Sequence, residues 1–398
     1  MVLHDRPATR LATRLAFLVA GFGIACWAPL VPFAKQRLAI DDATLGLLLL
    51  CLGIGSVVAM QFTGVLSARY GAKPAIVASG LGLTIILPFL SVVATPPALA
   101  VALLGFGAAL GSLDVAMNIH AVEVERAAGR PLMSGFHALY SIGGFAGSTL
   151  MTFLLSAHLA PLASTLCCAA IMLVAMLLAW PRLLAGARGE TGPLFVMPRG
   201  IVLLIAGLAA AAFLVEGALL EWSALLITSI GLVSATKGGL GYMLFAIAMT
   251  VGRLTGDAVT ARIGDRATLF WGGILAVAGF VVLLTAPFAP LALAGFLLIG
   301  LGASNTVPVL FRKAGAQTVM PPALAISAVT TTGYAGILAG PAVIGFVAKA
   351  AGLHNTFWML AALLGLLPLT ARFVAGGSGG EGSRRSASAA GKAMQRRR

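Results

Sequence analysis

The chain has 398 residues, 60% of them hydrophobic and only 10% charged, against roughly 25% charged in soluble domains. So few charges cannot clothe a soluble protein of this length, which excludes a water-soluble enzyme and a soluble binding module. The net charge of +14 does not signal nucleic acid, because the basic residues sit in short loops and tails between apolar runs and form no basic face. Four cysteines (Cys26, Cys51, Cys167 and Cys168) all lie within apolar stretches and form neither a CxxC motif nor a disulfide framework. The composition is that of an all-α polytopic membrane protein.

A helix needs about 20 mostly apolar residues to cross the hydrocarbon. That ruler predicts twelve spans: 15–33, 43–67, 75–95, 98–120, 133–156, 162–181, 200–228, 238–260, 268–286, 290–311, 323–347 and 355–374. Polar or proline-bearing punctuation separates them, as at Lys35–Asp42, Pro96–Pro97, Glu123–Pro131 and Pro321–Pro322. The runs are too long for strands and lack period-two alternation.

Twelve spans with the N-terminus inside put alternate loops on one side. All but Lys35, Arg37, Lys237 and Lys349 of the 26 Lys and Arg then fall in the cytoplasm. This asymmetry predicts cytoplasmic termini in a bacterial-type inner membrane. Three arginines before span 1 also suit a signal peptide, but removing that span would move every later basic loop to the wrong side. The expected organisation is a cytoplasmic N-terminus (1–14), a six-helix bundle (15–182), a cytoplasmic linker (183–199), a second bundle (200–374) and a disordered basic tail (375–398) lying near anionic lipid.

Sliding the chain on itself by 193 residues superposes Ala68-Arg69-x-Gly71 on Ala261-Arg262-x-Gly264, Ser134 on Ser327, Gly143 on Gly336 and Gly147 on Gly340. A duplicated six-helix unit explains the shared offset. Gly64-Val-Leu-Ser-Ala-Arg69-Tyr-Gly71-Ala-Lys73, between spans 2 and 3, resembles the signature loop of the major facilitator superfamily. The resemblance covers residues 11–374. Asp114-Val-Ala-Met-Asn118, Arg130-Pro-Leu-Met-Ser-Gly-Phe-His137 and Glu216-Gly-x3-Glu221-Trp-Ser resemble the fucose-permease-related branch of uncharacterised bacterial permeases. The resemblance implies two pseudo-symmetric bundles and a central cavity between helices 1, 4, 7 and 10. Three departures stand out. Ala68 replaces the signature aspartate, Val101 stands where drug antiporters place an arginine, and no acid lies between Gly21 and Pro32 on span 1.

Ionisable groups within spans are costly and point to function. Of twelve acids, only Asp114, Glu216, Glu221 and Asp257 fall inside spans; Glu123, Glu125 and Asp265 read as loop or edge residues. Gly107, Gly111, Asp114 and Asn118 share one narrow face of span 4, with Asp114 roughly 10 Å from the cytoplasmic end. This face is either a proton or substrate site or a structural hydrogen-bonding stripe. Glu216 and Glu221 point about 140° apart on span 7. One of them, with Glu216 favoured, should face the cavity, and Trp222 is a candidate substrate wall. Asn305 on span 10, Trp27 on span 1 and His137 at the start of span 5 complete the candidate substrate and proton site. Each also has a packing or interfacial reading. Arg253 and Asp257, four apart on span 8, are expected to pair and, with Arg69, Lys73 and Arg262, to form a cytoplasmic gate. His4, His120, His158 and His354 are expected to be solvated. The glycines Gly143, Gly144 and Gly147 on span 5, with Gly336, Gly340 and Gly345 on span 11, are expected to form a rocking surface between the halves.

No GxxxxGK[ST] loop is present for ATP. Ser134-Gly135 lacks the glycine of rhomboid-type proteases, Asp257 follows Thr255-Gly256 where aspartyl intramembrane proteases need Gly-x-Gly, and no span carries a His-x3-His metal pair. No soluble receptor domain is attached. The expectation is therefore a monomeric secondary transporter without metal or cofactor, not an enzyme. It would move a small polar, sugar-like solute by alternating access, coupled to protons; proton-driven efflux of an amphipathic compound is the alternative.

Overall fold

The computed structural model describes residues 7–40, 42–184, 197–233 and 240–376. Most of the expected linker, Lys237 and the basic tail past Gly376 lie outside the described residues. Within them the chain is helical, with no strand. α1 runs from Pro7 to Leu30, followed by a short helix, Val31–Leu38. Next come α2 (Asp42–Tyr70), α3 (Ala72–Leu90), α4 (Pro96–Ala128), α5 (Met133–Ser156), α6 (Pro161–Arg182) and α7 (Ile201–Ser229). α8 and α9 form one run, Leu240–Thr285, broken at Gly264. α10 (Ala289–Ala316), α11 (Pro322–Ala351) and α12 (Leu353–Gly376) complete the set. α11 bends by 44° between Leu338 and Val343. Among the described residues, ten helices are long and apolar enough to cross a membrane; dividing the long run at Gly264 and counting the bent α11 once brings the spans to twelve.

The duplication expected from the sequence appears in the backbone. Gly71, between α2 and α3, has φ 82°, ψ 164°, and Gly264, between α8 and α9, has φ 79°, ψ 164°. The two turns are 193 residues apart, and both occupy a conformation that only glycine adopts without strain. Packing repeats in the same way. α1 lies on α5 as α7 lies on α11, and α2 lies on α4 as α8 lies on α10. The two bundles meet along α2 with α11 and α5 with α8.

The glycine surface differs from expectation. A Cβ at Gly143 or Gly147 would strike the carbonyls of Leu18 or Phe22 on α1, and one at Gly336 would strike that of Ala210 on α7. Among the described residues, nothing lies within 4 Å of where a Cβ would stand at Gly340. These glycines bring helices together within each bundle, where small residues replace the hydrophobic drive that lipid cannot supply. They do not form the seam between the bundles.

α4 is longer than its apolar stretch. Pro96 and Pro97 open it behind a Thr95 cap, and Gly129, at φ 63°, closes it in the left-handed region. The polar turn that reads as loop from Glu123 onward is helix. Asp114 therefore lies fourteen residues before the last residue of α4, ~21 Å at 1.5 Å per residue, twice the expected depth.

Candidate transport cavity

Between the bundles lies a cavity of about 420 Å³, a size suited to a small solute. α4 presents Asp114 to it, α5 presents His137 and Tyr140, α7 presents Glu216, α8 presents Arg253 and α11 presents Tyr334. Apolar residues also line it: Leu49 and Leu52 of α2, Phe213 and Leu220 of α7, and Leu338 of α11.

Asp114 is 8% exposed and held from two sides. Asn118 Nδ2 donates to the Asp114 carbonyl (2.9 Å) and to its Oδ1 (3.0 Å). The Tyr334 hydroxyl lies beside the same carboxyl. Asn118 itself is fully buried and does not reach the cavity. It acts on the solute space only by fixing Asp114.

Arg253 is placed differently from the expected gate pair. Its Nη2 lies 3.6 Å from Glu216 Oε2, and its Nη1 donates to Ser141 Oγ of α5 at 2.8 Å. The i, i+4 partner Asp257 instead accepts the backbone N–H groups of Ser134 (2.9 Å) and Gly135 (2.8 Å) at the start of α5. A free carboxylate takes two helix-terminal donors where a pair with Arg253 would leave them unmet. Arg253 therefore belongs to the cavity and Asp257 to the seam beneath it.

At its basic end the cavity has an aromatic floor. His137 sits between Phe17 of α1 (5.2 Å between ring centroids) and Phe311 of α10 (5.8 Å). Below that floor, Glu125 of α4 pairs with Arg312 of α10 and also accepts the N–H groups of Leu132 (2.6 Å) and Met133 (2.8 Å). Asp265 holds Arg312 and, at 2.8 Å, Lys313. Arg126 Nη2 donates to the Gly315 carbonyl at 2.7 Å. Two carboxylates expected in loops thus build the cross-bundle latch. Of the basic residues expected there, Arg69 is exposed with its guanidinium over the Tyr70 ring at 5.1 Å, Arg262 is exposed, and Lys73 is half-buried.

Four other candidates lie off the cavity wall. Glu221 is exposed on the outside of α7, and the Trp222 ring lies against Gly345 of α11. Asn305 donates to the Gly252 carbonyl (3.2 Å) and to Ser304 Oγ (3.0 Å), which packs α10 on α8. Trp27 is buried at 4% exposure inside the first bundle. His120, expected in solvent, is fully buried; its Nδ1 lies 3.2 Å from Thr13 Oγ1 and its Nε2 accepts the Leu184 N–H at 2.9 Å. The three cavity tyrosines escaped the sequence reading. Their scarcity was a usable signal: the chain has four tyrosines, and Tyr140, Tyr242 and Tyr334 line this space.

Comparison with known proteins agrees with this geometry. The Major Facilitator Superfamily profile matches residues 14–319. An uncharacterized MFS-type transporter of Yersinia pestis is 48% identical over 367 residues, covering 92% of this chain and 95% of that protein. Among solved structures, the Escherichia coli fucose:proton symporter superposes with a TM-score of 0.73 at 18% identity, covering 92% of this chain and 98% of that one. The proton:xylose symporter XylE superposes with a TM-score of 0.72 at 13% identity, covering 91% and 94%. The chain is a transporter of the major facilitator superfamily.

Proposed function

We propose that this transporter imports a small polar solute together with a proton, by alternating access at the 420 Å³ cavity. The carrying observation is Asp114. A carboxylate this deep in an apolar bundle, facing a cavity and steadied by Asn118 and Tyr334, is suited to take up and release a proton as the cavity changes sides. The basic end is proposed as cytoplasmic, on the distribution of Lys and Arg. On that placement the latch around Glu125, Arg312 and Asp257 would hold the cytoplasmic end shut, the arrangement expected of an outward-facing state. The hydroxyls of Tyr140, Tyr242 and Tyr334 suit a hydroxylated solute. The fold is also that of two proton-coupled sugar symporters, as their names state.

The apolar lining of Leu49, Leu52, Phe213, Leu220 and Leu338 supports the second reading, export of an amphipathic compound. Proteoliposomes of defined orientation, loaded with a pH dye and offered L-fucose, D-xylose and glucuronate, separate the readings. Import predicts solute-dependent acidification of the lumen, abolished by Asp114→Asn. Accumulation that persists after a protonophore collapses the gradient sinks the coupling.

A further inference from the structure

Arg253 is 6% exposed, and its Nε, a donor that cannot also accept, is buried without a partner. Nε2 of His137, 9% exposed on the facing bundle, is likewise buried without a partner, and it donates in the tautomer that carries its proton there. Both side chains line the central cavity. Buried polar atoms are almost always satisfied, so two orphans at one site call for an explanation.

The guanidinium shows which ligand would satisfy them. Nη1 is occupied by Ser141. The Nε and Nη2 groups form the edge that takes a carboxylate through two parallel hydrogen bonds. On that edge Nε is free, and Nη2 faces Glu216 only at 3.6 Å, beyond hydrogen-bond length. Glu216 is itself one-third exposed to the cavity, so it can leave without being pulled out of a packed core. We infer that the transported solute carries a carboxylate, which docks on the Nε–Nη2 edge of Arg253 and displaces Glu216. His137, across the seam, meets the same group, so a bound acid bridges α8 and α5. This deepens the transport reading and rests on it. With the coupling proton on Asp114, a carboxylate and a proton cross together as a neutral pair.

Matched triads test the inference on the purified full-length protein: glucuronate, glucose and glucosamine, and lactate, propane-1,2-diol and 1-aminopropan-2-ol. Thermal stabilisation is followed across a concentration series. The acid member is expected to stabilise at concentrations at least roughly tenfold below its neutral and amine counterparts, the scale of a hydrogen bond to a charged group. Arg253→Gln should remove the preference. Arg253→Lys, which keeps the charge but loses the edge, should weaken it as well. Glu216→Gln should tighten acid binding, since the internal competitor is gone; a purely structural salt bridge would not produce that gain. Equal or better stabilisation by the neutral or amine members overturns the inference, as does looser acid binding in Glu216→Gln or no response to any acid. An acid that binds but is not carried into proteoliposomes overturns the transport reading and leaves the docking intact. A neutral sugar carried with protons does the reverse.

Discussion

Asp257 of α8 accepts the Ser134 N–H of α5 at 2.9 Å, joining a carboxylate of one bundle to the first turn of a helix in the other. The duplicated seam lacks this group. There Gly64, 193 residues before Asp257, faces Ser327, 193 residues after Ser134, and Ser327 donates to the Met60 carbonyl at 2.8 Å. The two seams are related by the repeat in backbone and differ in charge.

That asymmetry makes Asp257 a control point for opening the basic end. A carboxylate at a partly buried helix N-terminus contributes about 1–2 kcal/mol, and it exists only while the bundles touch. Asp257→Asn should shift the equilibrium toward opening roughly fivefold to thirtyfold. The readout is a cysteine reporter at Met117, which lines the cavity, with the four native cysteines replaced. Labelling by an impermeant maleimide applied from the basic face should accelerate. An unchanged rate would reduce the contact to simple packing.

Arg312 carries more, because it separates two acids. Glu125 is only 7% exposed and Asp265 17%, and removing the shared cation leaves Glu125 without its counter-charge and Asp265 with Lys313 alone. Breaking a buried pair from one side costs about 3–5 kcal/mol. Arg312→Gln should therefore lower thermal stability more than Glu125→Gln, in which Arg312 keeps Asp265. Restoring neutrality in the double change Glu125→Gln, Arg312→Gln, which keeps the Asp265–Lys313 pair, should recover much of the loss. Melting in detergent at low and high salt checks this, and the ranking should survive salt, since buried pairs are weakly screened.

The spans, the repeat and the deep acids were legible in the sequence because hydrophobic length and costly charges leave marks independent of tertiary contacts. Partner choice was not. Spacing on one helix suggested Arg253 with Asp257, but the structure gives Asp257 two unpaired N–H groups of another helix and gives Arg253 the Glu216 and Ser141 side chains. The end of α4 was misjudged for a similar reason. Glu123 and Glu125 look like loop residues by hydropathy, yet the helix continues past the apolar stretch and Glu125 finds Arg312 from the other bundle. Asn118 lay on the right face but one turn too near the end, so it supports Asp114 without touching the cavity.

Asp114 and Asn118 should separate in function. Asp114→Asn removes the titrating group. It should abolish proton-driven accumulation while solute exchange down equal concentrations persists, since the cavity remains. Asn118→Ala takes away only the amide that donates to the carboxylate, a bond worth about 1.5–3 kcal/mol when one partner is charged. Transport should continue, with a pH profile of uptake displaced from that of the unaltered protein. Uptake and counterflow measured from pH 5 to pH 9 distinguish the two. Loss of counterflow in Asp114→Asn would assign the residue to solute binding instead of coupling.

The glycines of the helix seams give a test of the packing that needs no substrate. At Gly107 a Cβ would run into the carbonyl of Leu52 on α2, and at Gly147 into that of Phe22 on α1. Neither neighbour can yield without moving a helix, and overpacking of this kind costs about 1–3 kcal/mol or more. Gly340 repeats Gly147 in the second half but, among the described residues, has nothing within 4 Å. Alanine at 107 or 147 should therefore depress the melting temperature and membrane yield, whereas Gly340→Ala should be neutral or mildly stabilising, because alanine propagates a helix better than glycine. Equal sensitivity at 147 and 340 would mean that the repeat in sequence is also a repeat in contact, against the geometry found here.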